Sequence, residues 1–139
     1  MGNYFTEITV KTVGTCEKET VDARNRILKT PKDPFQDYKN DLNCTWVLTA
    51  PPGKKIVLDP FQISTENCSG KCTCDYLEIK TSREKTARNS ESNENSLKRK
   101  YCGDRNVPKI ESEDNFLSIH FKSDSGQGRK GFKIKYHLK

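Results

Sequence analysis

Six cysteines carry the clearest chemistry in this 139-residue chain. Cys68, Cys72 and Cys74 crowd into one short stretch, whereas Cys16, Cys44 and Cys102 stand apart. An even count without paired Cys-x-x-Cys units at zinc-ligand spacing points to disulfides, and so to an oxidising compartment outside the cytosol. A zinc cluster is the competing chemistry. It would have to draw ligands from one short loop plus distant partners, and both histidines, His120 and His137, fall inside predicted strands on their outward side. Catalytic chemistry has little to stand on. The chain has no Gly-x-Ser-x-Gly elbow, no His-Glu-x-x-His helix and no phosphate-cradling glycine loop. Glu66, Asp75 and Asp124 could imitate a hydrolase carboxylate pair, but no histidine or aromatic cleft accompanies them, so the chain reads as a non-enzyme.

Two Asn-x-Ser/Thr triplets, at Asn43 and Asn67, fit a secreted history as glycan acceptors. No apolar run is long enough to cross a bilayer, so no membrane insertion of this segment is expected. The N-terminus lacks the apolar stretch of a signal peptide, and the chain is read as a mature fragment of a larger protein that begins with an added Met.

The net charge of +6 could serve a polyanion such as a sulfated glycan. The disulfide setting argues against nucleic acid. Basic residues occur at Lys54 and Lys55, Lys98-Arg99-Lys100, Arg129-Lys130, and on the outward positions Lys133, Lys135 and Lys139. The plain reading of such a distribution is a solvated sheet face.

Positioning these groups falls to short strands. Charged residues and apolar residues each make up 32% of the chain, so the core must be economical. Leu117, Ile119 and Phe121 alternate with Ser118, His120 and Lys122, and Phe132, Ile134, Tyr136 and Leu138 alternate with Lys133, Lys135, His137 and Lys139. Period-two patterning of this kind marks two half-buried antiparallel strands, joined here by an acidic, glycine-rich tip. Cys44 to Thr49 reads as a strand stopped by Pro51-Pro52-Gly53. Ile56 to Ile63 reads as a second strand with Pro60 at a bend, and Asp75 to Lys80 as a third. Ile27-Leu28 is a short candidate. Residues 1–15 are set aside as an N-terminal extension or linker that could add a strand, and residues 16–139 as one domain. Residues 81–96 are a long polar loop with almost nothing to bury. Without convincing helical periodicity, the fold class is all-β, an antiparallel two-sheet sandwich or barrel.

The ordered set of elements resembles a CUB domain, the extracellular β-sandwich module of complement proteases, tolloid-like proteinases, spermadhesins and many receptors. The resemblance is carried by Cys16, the stretch from Pro31 to Tyr38, Cys44 with Trp46, Pro52-Gly53, Cys72 before Asp75-Tyr76-Leu77-Glu78-Ile79, Cys102-Gly103, Ile110, Asn115, Leu117, Ile119, Phe121, Ser123-Asp124, Gly131-Phe132 and Tyr136. It implies a disulfide-bonded, jelly-roll-like sandwich with Cys16 paired to Cys44 and Cys72 to Cys102. Cys68 and Cys74 are extra to the usual four. A local Cys68 to Cys74 bridge is the preferred third pair, with Cys68 or Cys74 taking Cys102 as the alternative.

Many CUB domains hold calcium through a Glu and two Asp residues, and the matching positions here are Glu66, Asp75 and Asp124. Gly126 stands where the family carries Ser and offers a carbonyl, and the step from Glu66 to Asp75 is one residue longer than usual. Three acids gathered at one end would repel one another, and one calcium ion, which accepts roughly six to eight oxygens in flexible geometry, would remove that cost. The resemblance further implies an extracellular protein ligand, from a secreted protein or an ectodomain, whose basic side chain approaches Glu66 and Asp124. Tyr38 would border the site and Ser125 would lie at its rim. Two alternatives accompany this reading. One is heparin or sulfated-glycan binding through Lys98, Arg99, Lys100, Arg129 and Lys130. The other is a non-catalytic accessory role positioning substrate for a linked protease.

Overall fold

The computed structural model describes residues 8–16, 20–30, 38, 41–66, 72–81, 98–124 and 129–139. Expectations at Asn67, Cys68, Ser125 and Gly126, and for the loop at 81–96 beyond Thr81, lie outside these residues.

The described residues form an antiparallel sandwich. Its strands are β1 (Thr9–Gly14), β2 (Val21–Asp22), β3 (Ile27–Lys29), β4 (Asn43–Thr49), β5 (Ile56–Leu58), β6 (Phe61–Ser64), β7 (Tyr76–Lys80), β8 (Lys98–Tyr101), β9 (Asp104–Val107), β10 (Ile110–Glu111), β11 (Phe116–Lys122) and β12 (Gly131–Leu138). One sheet runs β1-β4-β11-β7-β8. The other runs β10-β5-β12-β3-β2, with β6 pairing β12 and β9 pairing β6. No described helix is long and apolar enough to cross a membrane.

The two alternating strands do not pair with each other. β11 sits between β4 and β7, whereas β12 is the spine of the opposite sheet. Both inward faces therefore meet across the core. Leu117, Ile119 and Phe121 are buried from one side, and Phe132, Ile134 and Tyr136 from the other. Burying each such side chain contributes about 1.5–3 kcal/mol. Edge-on ring contacts run through this core. Trp46 meets Phe132 at 5.7 Å, Phe132 meets Phe121 at 5.5 Å, and Phe121 meets Tyr38 at 5.0 Å. The last contact carries core packing to the end of the sandwich. The Trp46 indole N–H is met by Thr20 Oγ1 at 2.9 Å, so burial leaves it bonded.

The single strand expected from Ile56 to Ile63 is two strands. Proline has no N–H for the ladder, and the break falls at Asp59-Pro60. The Asp59 N–H still donates to the Lys135 carbonyl at 2.9 Å, so the chain keeps alongside β12 through the break. β5 then pairs Tyr136–Leu138 and β6 pairs Gly131–Phe132. Among the first fifteen residues, Thr9–Gly14 is a strand, paired along its whole length with β4.

Cys16 is bonded to Cys44, and Cys72 to Cys102. Closing segments of 28 and 30 residues stabilises each by about 3–4 kcal/mol in the chain-entropy account. Cys74 is also disulfide-bonded. With Cys102 held by Cys72, the alternative pairings to Cys102 are excluded.

Candidate metal centre

Strand parity builds the site. On β7 the inward positions are Leu77 and Ile79, and the same parity carried back reaches Asp75, which is 1% exposed. On β11 the inward series Leu117, Ile119, Phe121 runs on to Ser123, 2% exposed, and on β6 the series Phe61, Ile63 runs on to Thr65, 2% exposed. Three strands thus place a polar residue at the next inward position beyond their last apolar one. The chain has turned the end of its core into a polar floor.

Hydrogen bonds fix that floor. The Asp124 N–H donates to Asp75 Oδ1 at 2.8 Å. The Tyr38 hydroxyl donates to Asp75 Oδ2 and accepts the Glu66 N–H at 3.1 Å. Tyr38 is thereby tied to both acids, while its own N–H donates to the Arg129 carbonyl at 2.9 Å. Leu42 N–H donates to Ser123 Oγ at 2.9 Å, Ser123 N–H to the Leu42 carbonyl at 3.0 Å, and Asp41 N–H to the Asp124 carbonyl at 2.9 Å. Asp41 has φ 58°, a left-handed conformation that Asp tolerates better than most residues. On the other side, Thr65 N–H donates to the Gly103 carbonyl at 3.0 Å, and Gly103 N–H returns to Thr65 Oγ1 at 2.8 Å. That reciprocal pair, next to the Cys72–Cys102 bridge, holds the backbone that presents Glu66.

Glu66 and Asp124 converge, with a carboxylate oxygen of each and the Cys74 sulfur all within 4.8 Å of one another. The sulfur is in a disulfide and carries no thiolate charge, so the charged donors here are oxygens. Burial, then the charges of Asp124 and Asp75, push the Glu66 carboxyl above its usual range, and Arg129 opposes them. Burial raises Asp75 as well, against the hydrogen bonds from Tyr38 and Asp124. Burial and the bond to Asp75 raise the Tyr38 hydroxyl well above its ordinary value, so it stays protonated and can donate. Glu66 is half-buried as a residue, yet its Oε1 is fully buried with no hydrogen-bond partner among the described residues. A buried carboxylate oxygen left without a donor costs free energy that a cation would offset. Hard oxygen donors in a repulsive cluster fit calcium.

The structure therefore brings together Tyr38, Glu66, Asp75 and Asp124, all four named from sequence. Thr65 was not among them, because a threonine continuing an apolar series carries no local sign of a role. His120 and His137 take no part. His120 Nε2 lies 2.7 Å from Asn43 Oδ1 on the outer face of the first sheet, and His137 Nδ1 lies 3.1 Å from Asp59. Asn43 is exposed at the start of β4.

Comparison with known proteins agrees with this architecture. The CUB domain family model matches residues 16–136. Cubilin from Canis lupus familiaris is 36% identical over 122 residues, which cover 88% of this chain and 3% of that protein. Neuropilin-2 from Rattus norvegicus is 36% identical over 104 residues, covering 74% of this chain and 10% of that protein. The chain thus spans a small fraction of these relatives. Among solved structures, the MASP-1 CUB2 domain bound to Ca2+ superposes with a TM-score of 0.61 at 19% identity, covering 80% of this chain and 89% of that one. The extracellular region of zebrafish Gpr126/Adgrg6 gives 0.63 at 24% identity, covering 81% of this chain and 13% of that one. These structural likenesses establish the sandwich, and the sequence matches establish kinship: the chain belongs to the CUB domain family, whose members are non-catalytic, extracellular, disulfide-bonded binding modules.

Proposed function

We propose that this CUB module binds an extracellular protein in a calcium-dependent way through its acid-lined end. The observation that carries the reading is the buried, unpartnered Oε1 of Glu66 among three carboxylates. Glu66, Asp75 and Asp124 would hold the ion, with the Gly126 carbonyl as a further donor. Calcium would supply positive charge at the point where the three acids repel, and would tie the segments around 66, 75 and 124 together. The MASP-1 CUB2 domain was solved with Ca2+ bound, which supports carrying the ion over to a chain of the same fold.

The protein's own groups then define the adhesive surface. Asp75 is buried and accepts one hydrogen bond on each oxygen, from the Tyr38 hydroxyl and the Asp124 N–H, which leaves lone pairs for the ion and makes it the internal anchor. Glu66 and Asp124 are less buried and offer oxygen to a partner's lysine or arginine, with Ser125 at the rim. Tyr38 holds the acids in register from beneath. Such a module fits a secreted protein or an ectodomain, including one in which it positions substrate for a linked protease. Calorimetric titration of calcium into the wild type and into Asp124→Ala tests the ion site. Heat is expected for the wild type and none for the variant, and a wild type without calcium heat would sink the reading.

A further inference from the structure

We infer that the outer face of the second sheet is a separate binding groove for a sulfated glycan. The groove has a volume of about 690 Å³ and is lined by Lys29, Lys130, Lys133 and Arg105 together with Gln62 and Asn106. Register explains its charge. Lys29 lies directly opposite Lys133 on the β3–β12 pair, and directly opposed side chains have Cβ atoms about 5 Å apart, where like charges are unfavourable. Among the described residues, Lys29, Lys130 and Lys133 make no ion pair. The one acid of the lining, Asp104, accepts a hydrogen bond from Ser64 Oγ at 2.7 Å. Arg105, opposite the buried Ile63, lies over the Tyr101 ring at 5.4 Å, so among the described residues three lysines face one carboxylate and the groove carries net positive charge.

Gly131 makes the floor. Its φ is +79°, and a Cβ there would stand 2.1 Å from Oγ1 of the buried Thr30, so the position admits only glycine. Gln62 and Asn106 are directly opposed across β6 and β9 and offer amide donors and acceptors beside the cations. Fixed positive charge plus neutral hydrogen-bonding groups matches sulfates and hydroxyls along one polymer. Other polyanions fit less well. The outward side chains of the groove include no aromatic ring on which a base could stack, and none of the large anchors that centre a protein interface. The sequence had pointed to Lys98-Arg99-Lys100, but successive strand residues face opposite ways. Lys100 lies over the Tyr76 ring at 4.3 Å, whereas Arg99 lines a different cleft with Lys109. That run is not one patch, and of the five basic residues named from sequence Lys130 is the one that lines the groove.

The groove is independent of the acid end, and the test separates them. Wild type, Lys29→Ser/Lys133→Ser and the charge-matched control Lys54→Ser/Lys55→Ser would be eluted from immobilised heparin by sodium chloride, in calcium and in chelator, with circular dichroism checking the fold. The wild type should be retained equally in calcium and chelator. The groove variant should elute at roughly half its salt concentration and the control close to it, since contacts to a polyanion are salt-screened. Equal shifts for groove and control variants, unretained wild type, loss of retention in chelator, or displacement by polyglutamate as readily as by free heparin would each overturn the groove.

Discussion

The acid-bearing end and the lysine-bearing sheet face both gather like charges, but they do so in different surroundings. Around Asp75 the charges are taken out of water, and backbone N–H groups and the Tyr38 hydroxyl are built in to hold them. Along Lys29 and Lys133 the charges stay exposed on long, flexible stems and are held only by strand register. Coulomb repulsion at a given separation is several-fold stronger in the less polar setting. The buried cluster therefore asks for one compact divalent ion at fixed positions, whereas the exposed row suits a diffuse polymer of anions. The first should answer to chelators and the second to salt.

The largest break in that comparison should come from Asp75→Ala. In calcium, it leaves the Tyr38 hydroxyl and the Asp124 N–H without their acceptor in a buried place, at about 1–3 kcal/mol each. A loss of about 3 kcal/mol in urea denaturation is expected, together with loss of calcium heat. Lys133→Ala on the open face should stay within about 0.5 kcal/mol of wild type. Equal costs for the two would mean that Asp75 is not an anchor.

Why the two regions were unequally legible in the sequence follows from the same contrast. Period-two alternation exposed β11 and β12 because their inward residues are apolar throughout. It could not say that they belong to opposite sheets, since alternation fixes a face but not a neighbour. β9, Asp104–Val107, is polar except at its last residue and has no pattern of its own, and its place comes from pairing with β6. The four site residues were nominated by resemblance. The bonds that join them were invisible, because an Asp124 N–H reaching Asp75 is set by where two loops meet, and composition does not record that. The groove was hidden for another reason: Lys29 and Lys133 are 104 positions apart in sequence and adjacent only in the β3–β12 register.

A pH scan should produce a moderate effect with opposite signs in the two conditions. In chelator, Glu66 and Asp75 have folded pKa values raised above their unfolded ones. The folded state then takes up protons first as pH falls from neutral toward the ordinary carboxylate value of about 4, so stability should rise through that window. In calcium, the same carboxylates must be ionised to hold the ion, and stability should fall over the same range. Glu111 behaves differently. Its carboxyl is lowered by Lys139, whose Nζ lies 2.7 Å away, so its contribution is present above the usual carboxylate value and is lost only at lower pH. Parallel melting curves with and without calcium between pH 7 and about 4 would show that Glu66 and Asp75 are not the groups that hold the ion.

The smallest effect should come from relieving Lys29 of its neighbour. Two opposed ammonium groups cost a few tenths of a kcal/mol, and mobile ions reduce that cost. Moderate sodium chloride should therefore raise the melting temperature of the wild type slightly in chelator. In Lys133→Ser the baseline should begin a little higher and the salt increment should shrink. Both traces would then converge at high salt, where the Debye length is only about 3 Å and the surviving lysine no longer senses a second charge. An undiminished increment in Lys133→Ser would place the salt-sensitive repulsion elsewhere, and leave the register of β3 against β12 with no electrostatic consequence.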